Sequence, residues 1–489
     1  MNLSPRFKIF FAVSVLLFMF NLLLTNDYTV FWNGAENDIL TAAVGGELTS
    51  AILPGIKANA IYRIFGLAEF WQRLPAVGVT LLGVFGLYYF GRKIFGLRTI
   101  LLAVLVLIST LLLPNVAKRA TADAWLFFSL LLADLNLILH LKRGDKRSLG
   151  WFTLFVAVGL LSAAPATLGF LLGSGGVYAL GKFGTRTRGL RLTFAGLFIT
   201  GLLLWYFTGG RMPVTEVGLS YLSLGQFLGI SLLGILPWIA FLPAAILDLI
   251  KKLRRGEEMS LLLTGMLIGG LFSFSVVWQA ALALLIAKQI EKYFDPNYPY
   301  VNWVKTVAVL HIIAAFIGGI ALMLNGFYIL ETEGFRLAMS VGAVHWIPAF
   351  LGVIGVFGKN AATLIGGMTA SGLLVTFFFW TVIGPVMNNF RQTPKIISEK
   401  AATDKENDTL YFLTPEQPPA NYFLYARKNF NDVRTLTLPD FASVRPTTED
   451  VIVWRDSIPA AIRLADDAQI DTILQRKIIG EGQRWLIVR

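Results

Sequence analysis

The chain has 489 residues, 55% hydrophobic and 15% charged, with a net charge of +12 and no cysteine; its mean hydropathy is +0.65. A soluble domain carries about 25% charged residues, so this composition excludes an ordinary globular protein, and the lack of cysteine excludes disulfides and thiolate metal sites. Nor is the excess of Lys and Arg a nucleic-acid footprint: most of it falls in short clusters between apolar runs, the positive-inside pattern of membrane proteins.

Apolar stretches near 20 residues long recur through the first 390 positions. Each can cross a ~30 Å hydrocarbon core as a helix, and helices satisfy their own backbone there. The runs are continuous rather than alternating, which argues against a β-barrel. In chain order the expected spans are 7–25, 75–91, 97–113, 123–141, 150–163, 165–181, 190–207, 227–249, 259–273, 275–289, 305–325, 338–357 and 361–386, about thirteen helices. Arg6 and Lys8 precede the first, and no small-residue cleavage site follows before Asp27, so it reads as an uncleaved span rather than a signal peptide.

With the N-terminus in the cytoplasm, the inside loops hold Arg92, Lys93 and Arg98; Lys142, Arg143, Lys146 and Arg147; Lys182, Arg186, Arg188 and Arg191; Lys251, Lys252, Arg254 and Arg255; and Lys288 with Lys292. An odd number of spans leaves the tail outside, in the periplasm of an inner-membrane protein. The pivot is residues 259–289. Taken as one span, they would reverse the side of everything that follows. Taken as two short spans with a tight turn near Ser273–Ser275, they keep Lys288 and Lys292 inside, and this is the reading adopted.

Residues 1–390 thus form the membrane domain, with an outer loop at 26–74 that mixes acids and bases among Ile, Leu and Phe as amphipathic interfacial helices do. A polar linker follows at 391–408. The tail, 409–489, is expected to be a small soluble α/β domain. Its strands are TLYFL (409–413), VRTLTL (433–438) and DVIVW (450–454), its helices lie at 418–430 and 458–468, and a final hairpin turns at Glu481-Gly482. It has no Gly-rich phosphate loop.

Chemistry is expected at the outer face. In the loop between spans three and four, PNVAKRATADAW, Lys118 and Arg119 lie outside against the charge trend, and Asp123 opens span four. Two cations at an outer helix end can clamp a lipid phosphate, and Asp123 could hold an acceptor, a metal or the Arg119 side chain. The bland alternative is snorkelling cations with a helix-capping Asp. In WNGAENDILTAA, Glu36 and Asp38 could serve as general base, or be ordinary acids at a helix start. Lys57 and Arg73 of the same outer loop are further candidate cations for a lipid phosphate, and a divalent cation could sit at this acidic cluster. His140, His311 and His345 read as isolated, without metal-ligand spacing. Asp248 reads as a local ion pair with Lys251 and Lys252, and Asp134 as an interhelical polar contact.

The order of these motifs resembles a known family: an acidic outer loop, FGLAEFWQRLP (65–75), a span, GRKIFG, then KRATADAW opening span four, with SAAPATLG (162–169), ILPWIAFLPAA (235–245) and the tail TLYFL…PPANYFLYARK. It is similar to the bacterial aminoarabinose-transferase-like GT-C glycosyltransferases, relatives of the protein O-mannosyltransferases. The resemblance implies transfer of a sugar from a polyprenyl-phosphate-linked donor to a lipid or other envelope acceptor on the periplasmic face. An acid would activate the acceptor and cations would stabilise the leaving phosphate, with inversion at the anomeric carbon. Membrane lipids and an envelope protein are the other expected partners; nucleic acid is not.

The chain also departs from that pattern. Trp32-Asn33-Gly34 stands where the family has an Asp-Glu pair, and ILPGIKANA, with Lys57, where it has Lys-Pro-Pro. Ala163-Ala164-Pro165 stands for Lys-Gly-Pro, and SFSVVWQAALALL for a Lys-x-x-x-Tyr element. Two further readings therefore stand beside the transferase. One is a catalytically silent GT-C relative acting as a lipid-binding or scaffold subunit; the other is a transporter or flippase.

Overall fold

The computed structural model describes residues 5–25, 36, 39–40, 51–179, 186–207, 223–383, 398, 409–413, 425–426, 430, 432–436, 451–455, 470–478 and 481–488. The first part is helical throughout: α1 (Pro5–Leu24), α2 (Ile52–Phe65), α3 (Glu69–Phe95), α4 (Leu97–Ile108), α5 (Leu112–Ala117), α6 (Asp123–Arg143), α7 (Lys146–Ala179), α8 (Arg186–Phe207), α9 (Leu224–Gly234), a 3-10 turn (Trp238–Phe241), α10 (Leu242–Arg254), α11 (Glu258–Phe272), α12 (Val277–Tyr293), α13 (Val301–Phe357) and α14 (Ala361–Phe378). Local chemistry places the ends. Ser223 and Gln226 form a reciprocal capping box at the start of α9. Gly144, left-handed at φ 70°, returns its N–H to the His140 carbonyl and stops α6.

Among the described residues, eight helices are long and apolar enough to cross a bilayer, or nine if a bent pair counts as one span. This is fewer than the thirteen expected, and the difference has physical causes. The span expected at 97–113 is broken at Ser109–Leu111 into α4 and α5, twelve and six residues long. The span expected at 227–249 is bent by 105° between α9 and the stretch Trp238–Arg254. The legs α11 and α12 are only 15 and 17 residues long.

The two spans expected at 150–163 and 165–181 form the single element α7, non-helical at Ala163. There the chain doubles back: a methyl group on Gly159 would lie 3.0 Å from Thr167 Oγ1, whereas eight residues of straight helix rise about 12 Å. The turn between α11 and α12 behaves alike. A methyl group on Gly270 would lie 2.5 Å from the Trp278 nitrogen, and Phe274 takes a left-handed φ of 48° between them. The tight turn at Ser273–Ser275 is therefore present. In α13, Trp346 Nε1 donates to the Ala315 carbonyl at 3.1 Å, although 31 residues of straight helix would separate them by about 46 Å. That element is also a folded pair of legs.

The core lies along α4, α6 and α12, where nearly every side chain is buried. The outer elements α1, α8 and both legs of α13 turn bare apolar side chains outward, with Leu16, Ile199 and Ile317 more than half exposed. Water would penalise such faces and lipid does not. At one end of the bundle the basic clusters meet. Arg143 Nη2 donates to the Lys93 carbonyl at 2.9 Å, and Thr99 Oγ1 and Arg98 both reach Glu291. Asp248 accepts from Lys252 at 3.0 Å, Lys292 at 3.2 Å and Gln289 at 2.9 Å, the expected ion pair with Lys292 as its second cation.

Two expectations for isolated polar groups come out differently. Asp134 takes the Tyr178 hydroxyl at 2.7 Å, tying α6 to α7 as expected. His311 and His345, however, are not isolated from one another: the fold of α13 brings their rings 5.5 Å apart, tilted by 56°.

The C-terminal strands β1 (Thr409–Leu413), β2 (Asp432–Leu436), β3 (Val451–Arg455), β4 (Ile470–Ile478) and β5 (Glu481–Val488) form one mixed sheet in the order β2-β1-β3-β5-β4. β1 pairs in parallel with β2 and β3, and β5 runs antiparallel to β3 and β4. Ile478 pairs with Glu481 and Lys477 with Gly482, so Glu481 and Gly482 lie within β5 rather than at the hairpin turn expected there. The expected helix at 458–468 lies outside the described residues, as does most of that at 418–430.

Candidate functional site

At the end of the bundle opposite the basic clusters, the chain brings four separate segments around one carboxylate. Glu36, from the first outer loop, is fully buried. Its Oε1 accepts from Arg73 Nε at 2.8 Å and from the Ala120 N–H at 3.0 Å, and its Oε2 accepts from Arg73 Nη2 at 3.0 Å. A bidentate guanidinium with an added backbone donor is a strong, directional arrangement. It ties the first outer loop to the start of α3 and to the loop between α5 and α6. A carboxylate so held is occupied as an anchor for the guanidinium.

Lys57, on α2, is half-buried, and its Nζ donates to the Gln72 carbonyl at 3.0 Å. Burial brings its amine down to about 8, with the Glu36 charge pulling the other way. Gln72, the residue before Arg73, donates to the carbonyls of Ala58 and Gly66, both at 3.3 Å, and so locks α2 to α3.

Lys118 caps the short α5 and is fully buried. It donates to Asn21 Oδ1 at 3.0 Å and to Thr25 Oγ1, both from the end of α1. Its Nζ also sits 4.6 Å from the centre of the Trp380 ring. Trp380 in turn donates to Asn115 Oδ1 at 2.7 Å. Arg119 is partly exposed, with its Nε buried and lacking a hydrogen-bond partner. Asp123 begins α6, is 2% exposed and accepts from Thr121 Oγ1 at 3.0 Å.

Thus Glu36, Arg73, Lys57 and the 118–123 loop are gathered at one end, as the sequence led one to expect. Asp38 lies outside the described residues. Among the described residues no group of three or more His, Asp or Glu is arranged to hold a metal ion. The side chains missed from sequence are the neutral ones: Asn21, Thr25, Gln72 and Trp380. Asn21 carried a signal, an amide in the last turn but one of an apolar span. Trp380 looked like any interfacial aromatic.

Beneath the site, broken helix ends pair with one another. The Leu111 N–H donates to the Gly234 carbonyl at 2.8 Å, Trp238 Nε1 to Ser109 Oγ at 2.8 Å, and Gln279 Nε2 to the Ser231 carbonyl at 3.0 Å. Irregular backbone at membrane depth needs such partners.

The helical bundle that positions these residues has a fold already known. No family model matches the sequence, and no curated protein does. Among solved structures, ArnT from Cupriavidus metallidurans in the apo state matches over 99% of this chain and 97% of its own, at 14% identity and a TM-score of 0.69. The same protein bound to undecaprenyl phosphate matches over 99% and 98%, at 14% identity and a TM-score of 0.67. Identity this low speaks to fold alone, and on fold the agreement runs nearly end to end: this helical multi-pass membrane chain has the fold of ArnT.

Proposed function

We propose that the protein is a GT-C-type glycosyltransferase that moves a sugar from a polyprenyl-phosphate-type lipid donor to a lipid or other envelope acceptor at the periplasmic face of the bacterial inner membrane. The observation that carries this is the meeting of Arg73, Lys57 and the loop that bears Lys118 and Arg119 at one end of an ArnT-like bundle, with Glu36 holding Arg73 and the Ala120 N–H together. In this reading the acceptor oxygen attacks the anomeric carbon with inversion, and the lipid phosphate leaves against these cations. Glu36 holds Arg73 in place rather than acting as base. Asp123 and Asp38 are the carboxylates left to activate the acceptor.

The N-terminus and the basic end are cytoplasmic, the chain crosses about thirteen times, and residues 409–489 form a periplasmic domain after the linker at 391–408. The short α4, the two legs α11 and α12 and the second leg of the folded-back α7 supply the crossings that helix length alone does not count. Undecaprenyl phosphate, which ArnT binds, is the natural probe. The full chain in nanodiscs should retain it, and extracts supplied with polyprenyl-phosphate sugars should yield a glycosylated product that Asp123→Asn or Asp38→Asn abolishes without loss of lipid binding.

One observation favours a second reading. The best-placed carboxylate is already chelated, and Asn33 stands where the family has an acid, so a silent lipid-binding subunit would look much like this. Lipid retention by the wild type, with no product from any donor pool, would decide for it.

A further inference from the structure

Of the cations in the outer site, Lys118 has the least to hold its charge. It is fully buried, yet the groups on its amine are all neutral: the Asn21 amide oxygen, the Thr25 hydroxyl and the Trp380 ring. It forms no ion pair among the described residues. The charged and titratable groups around it are Arg73 from α3, Glu36 from the outer loop, Lys57 from α2, and Arg119 and Asp123 further along its own loop. α1 brings only Asn21 and Thr25, and the helix end after α14 only Trp380. Glu36 is committed to Arg73 and the Ala120 N–H, so it offsets Arg73 rather than Lys118. Burial first and the Arg73 charge second pull the Lys118 amine from its ordinary value of 10.5 down to about 6. At neutral pH the buried amine is therefore uncharged, within reach of the Arg73 charge.

Such an amine has an unused capacity. A phosphate group entering beside Arg73 would supply the missing negative charge and make the ammonium form favourable again. Arg119 gives a second, independent pointer to an anion: its permanently charged guanidinium keeps a buried Nε without any partner. We propose that Lys118 is a proton-coupled anion receptor, uncharged while the outer site is empty and protonated from bulk solvent as a phosphate monoester binds, so that each anion enters with one proton. This rests on the phosphate-binding reading of the outer site. Its consequence is a site that weakens as the external medium turns alkaline and releases a proton whenever the phosphate leaves.

The test uses the full chain in nanodiscs, with a long-chain prenyl phosphate and inorganic phosphate as separate probes. Calorimetry in two buffers of different ionisation heat counts the protons taken up. Between pH 7 and 8.5 a phosphate monoester is past its second pKa of about 6, so the prenyl ester's own charge stays constant; inorganic phosphate still titrates near neutrality, and its proton count is taken at pH 8.5. We expect close to one proton per bound anion and a Kd that weakens about tenfold per pH unit. Lys118→Arg, always charged, should bind with no such slope, and Lys118→Met should lose the uptake. Coupling seen with both probes assigns recognition to the phosphate group alone, and coupling only with the prenyl ester assigns it to a lipid headgroup; both outcomes support the receptor.

Binding without proton uptake overturns it while leaving the phosphate reading intact. The charge state of the empty protein can be read independently, from the ε-carbon resonance of labelled lysine compared with Lys118→Met. An ammonium at pH 7.5 there overturns the proposal whatever binds. A neutral amine in a protein that binds neither probe overturns the phosphate reading, and the receptor with it.

Discussion

The pair Glu36–Arg73 makes the sharpest prediction, because both side chains are at most 2% exposed and join segments far apart in sequence. Replacing Arg73 by Met leaves a buried carboxylate that has lost two of the three donors described above, keeping the Ala120 N–H. Removing one partner of a buried pair costs about 3–5 kcal/mol, largely as the penalty of the charge left behind. Glu36→Gln keeps one acceptor oxygen but not the charge, and should cost roughly 2–4 kcal/mol by the same reasoning. Removing both, as Glu36→Leu with Arg73→Met, leaves no unpaired charge. That double variant should be more stable than either single one, with a coupling of at least about 2 kcal/mol. Reversible unfolding in mixed micelles, followed by tryptophan fluorescence for all four proteins, measures the cycle. Additive effects, with each single change under about 1 kcal/mol, would mean that water reaches the pair and that Glu36 is free to act as a base, refuting the anchoring role.

Four further outcomes can be checked independently. In the empty protein Lys118 is neutral when folded but charged when unfolded between about pH 6 and 10.5; the unfolded chain then binds the extra proton, so stability rises with pH across that window. Lys57 adds to the rise only above about pH 8. The difference in thermal midpoint between wild type and Lys118→Met should therefore change from pH 6.5 to 8, and parallel curves would contradict it. Gly372→Ala places a methyl group 1.7 Å from the Ser109 carbonyl oxygen and should cost about 1–3 kcal/mol as overpacking, against no measurable change for Gly366→Ala, where the space is open. Trp238→Phe removes the Nε1 bond to Ser109 and should cost about 1 kcal/mol, mild because Ser109 Oγ still donates to the Leu105 carbonyl. Because the chain has no cysteine, single cysteines at Gly256, Phe274 and Asn297 can be probed with an impermeant maleimide in intact cells. Gly256 and Asn297 should share one side and Phe274 the other; opposite labelling of the first two would put a single span at 259–289.

What could be read from the sequence followed the two strongest physical signals. Continuous apolar runs gave the position of nearly every helix, and the sign of the loops gave their grouping, which the contacts among Arg143, Lys93, Arg98 and Glu291 reproduce. Three things were not legible. The break at Ser109–Leu111 shows no proline or glycine at the break itself; it exists because Gly234, Trp238 and Gly372, all distant in sequence, press upon it. The bend at residues 235–237 was hidden by an apolar run long enough to pass for a straight span. And the partnership of His311 with His345 depends on how α13 folds back, which hydropathy does not encode.

The candidate site divides along the same line. Charged residues placed against the local trend, Lys118 and Arg119, pointed to the outer loop, while Glu36 stood beside Asp38 as a candidate base and Arg73 as a candidate phosphate cation. Sequence could not say that Glu36 would be spent on Arg73, because that depends on the burial of both side chains in one place. The distinction decides the chemistry. A solvated Glu36 would be a base, whereas a chelated Glu36 is scaffolding that orients a cation. The same packing that removes Glu36 from acid–base work removes the charge from Lys118, since a carboxylate shared with Arg73 and Ala120 cannot also neutralise a second amine. On the proposal above, the site holds Arg73 firmly and Lys118 as a conditional cation, beside Lys57 and Arg119. A binding surface built that way discriminates for an anion that can bring its own compensation, which a phosphate does and a neutral sugar or acyl group does not.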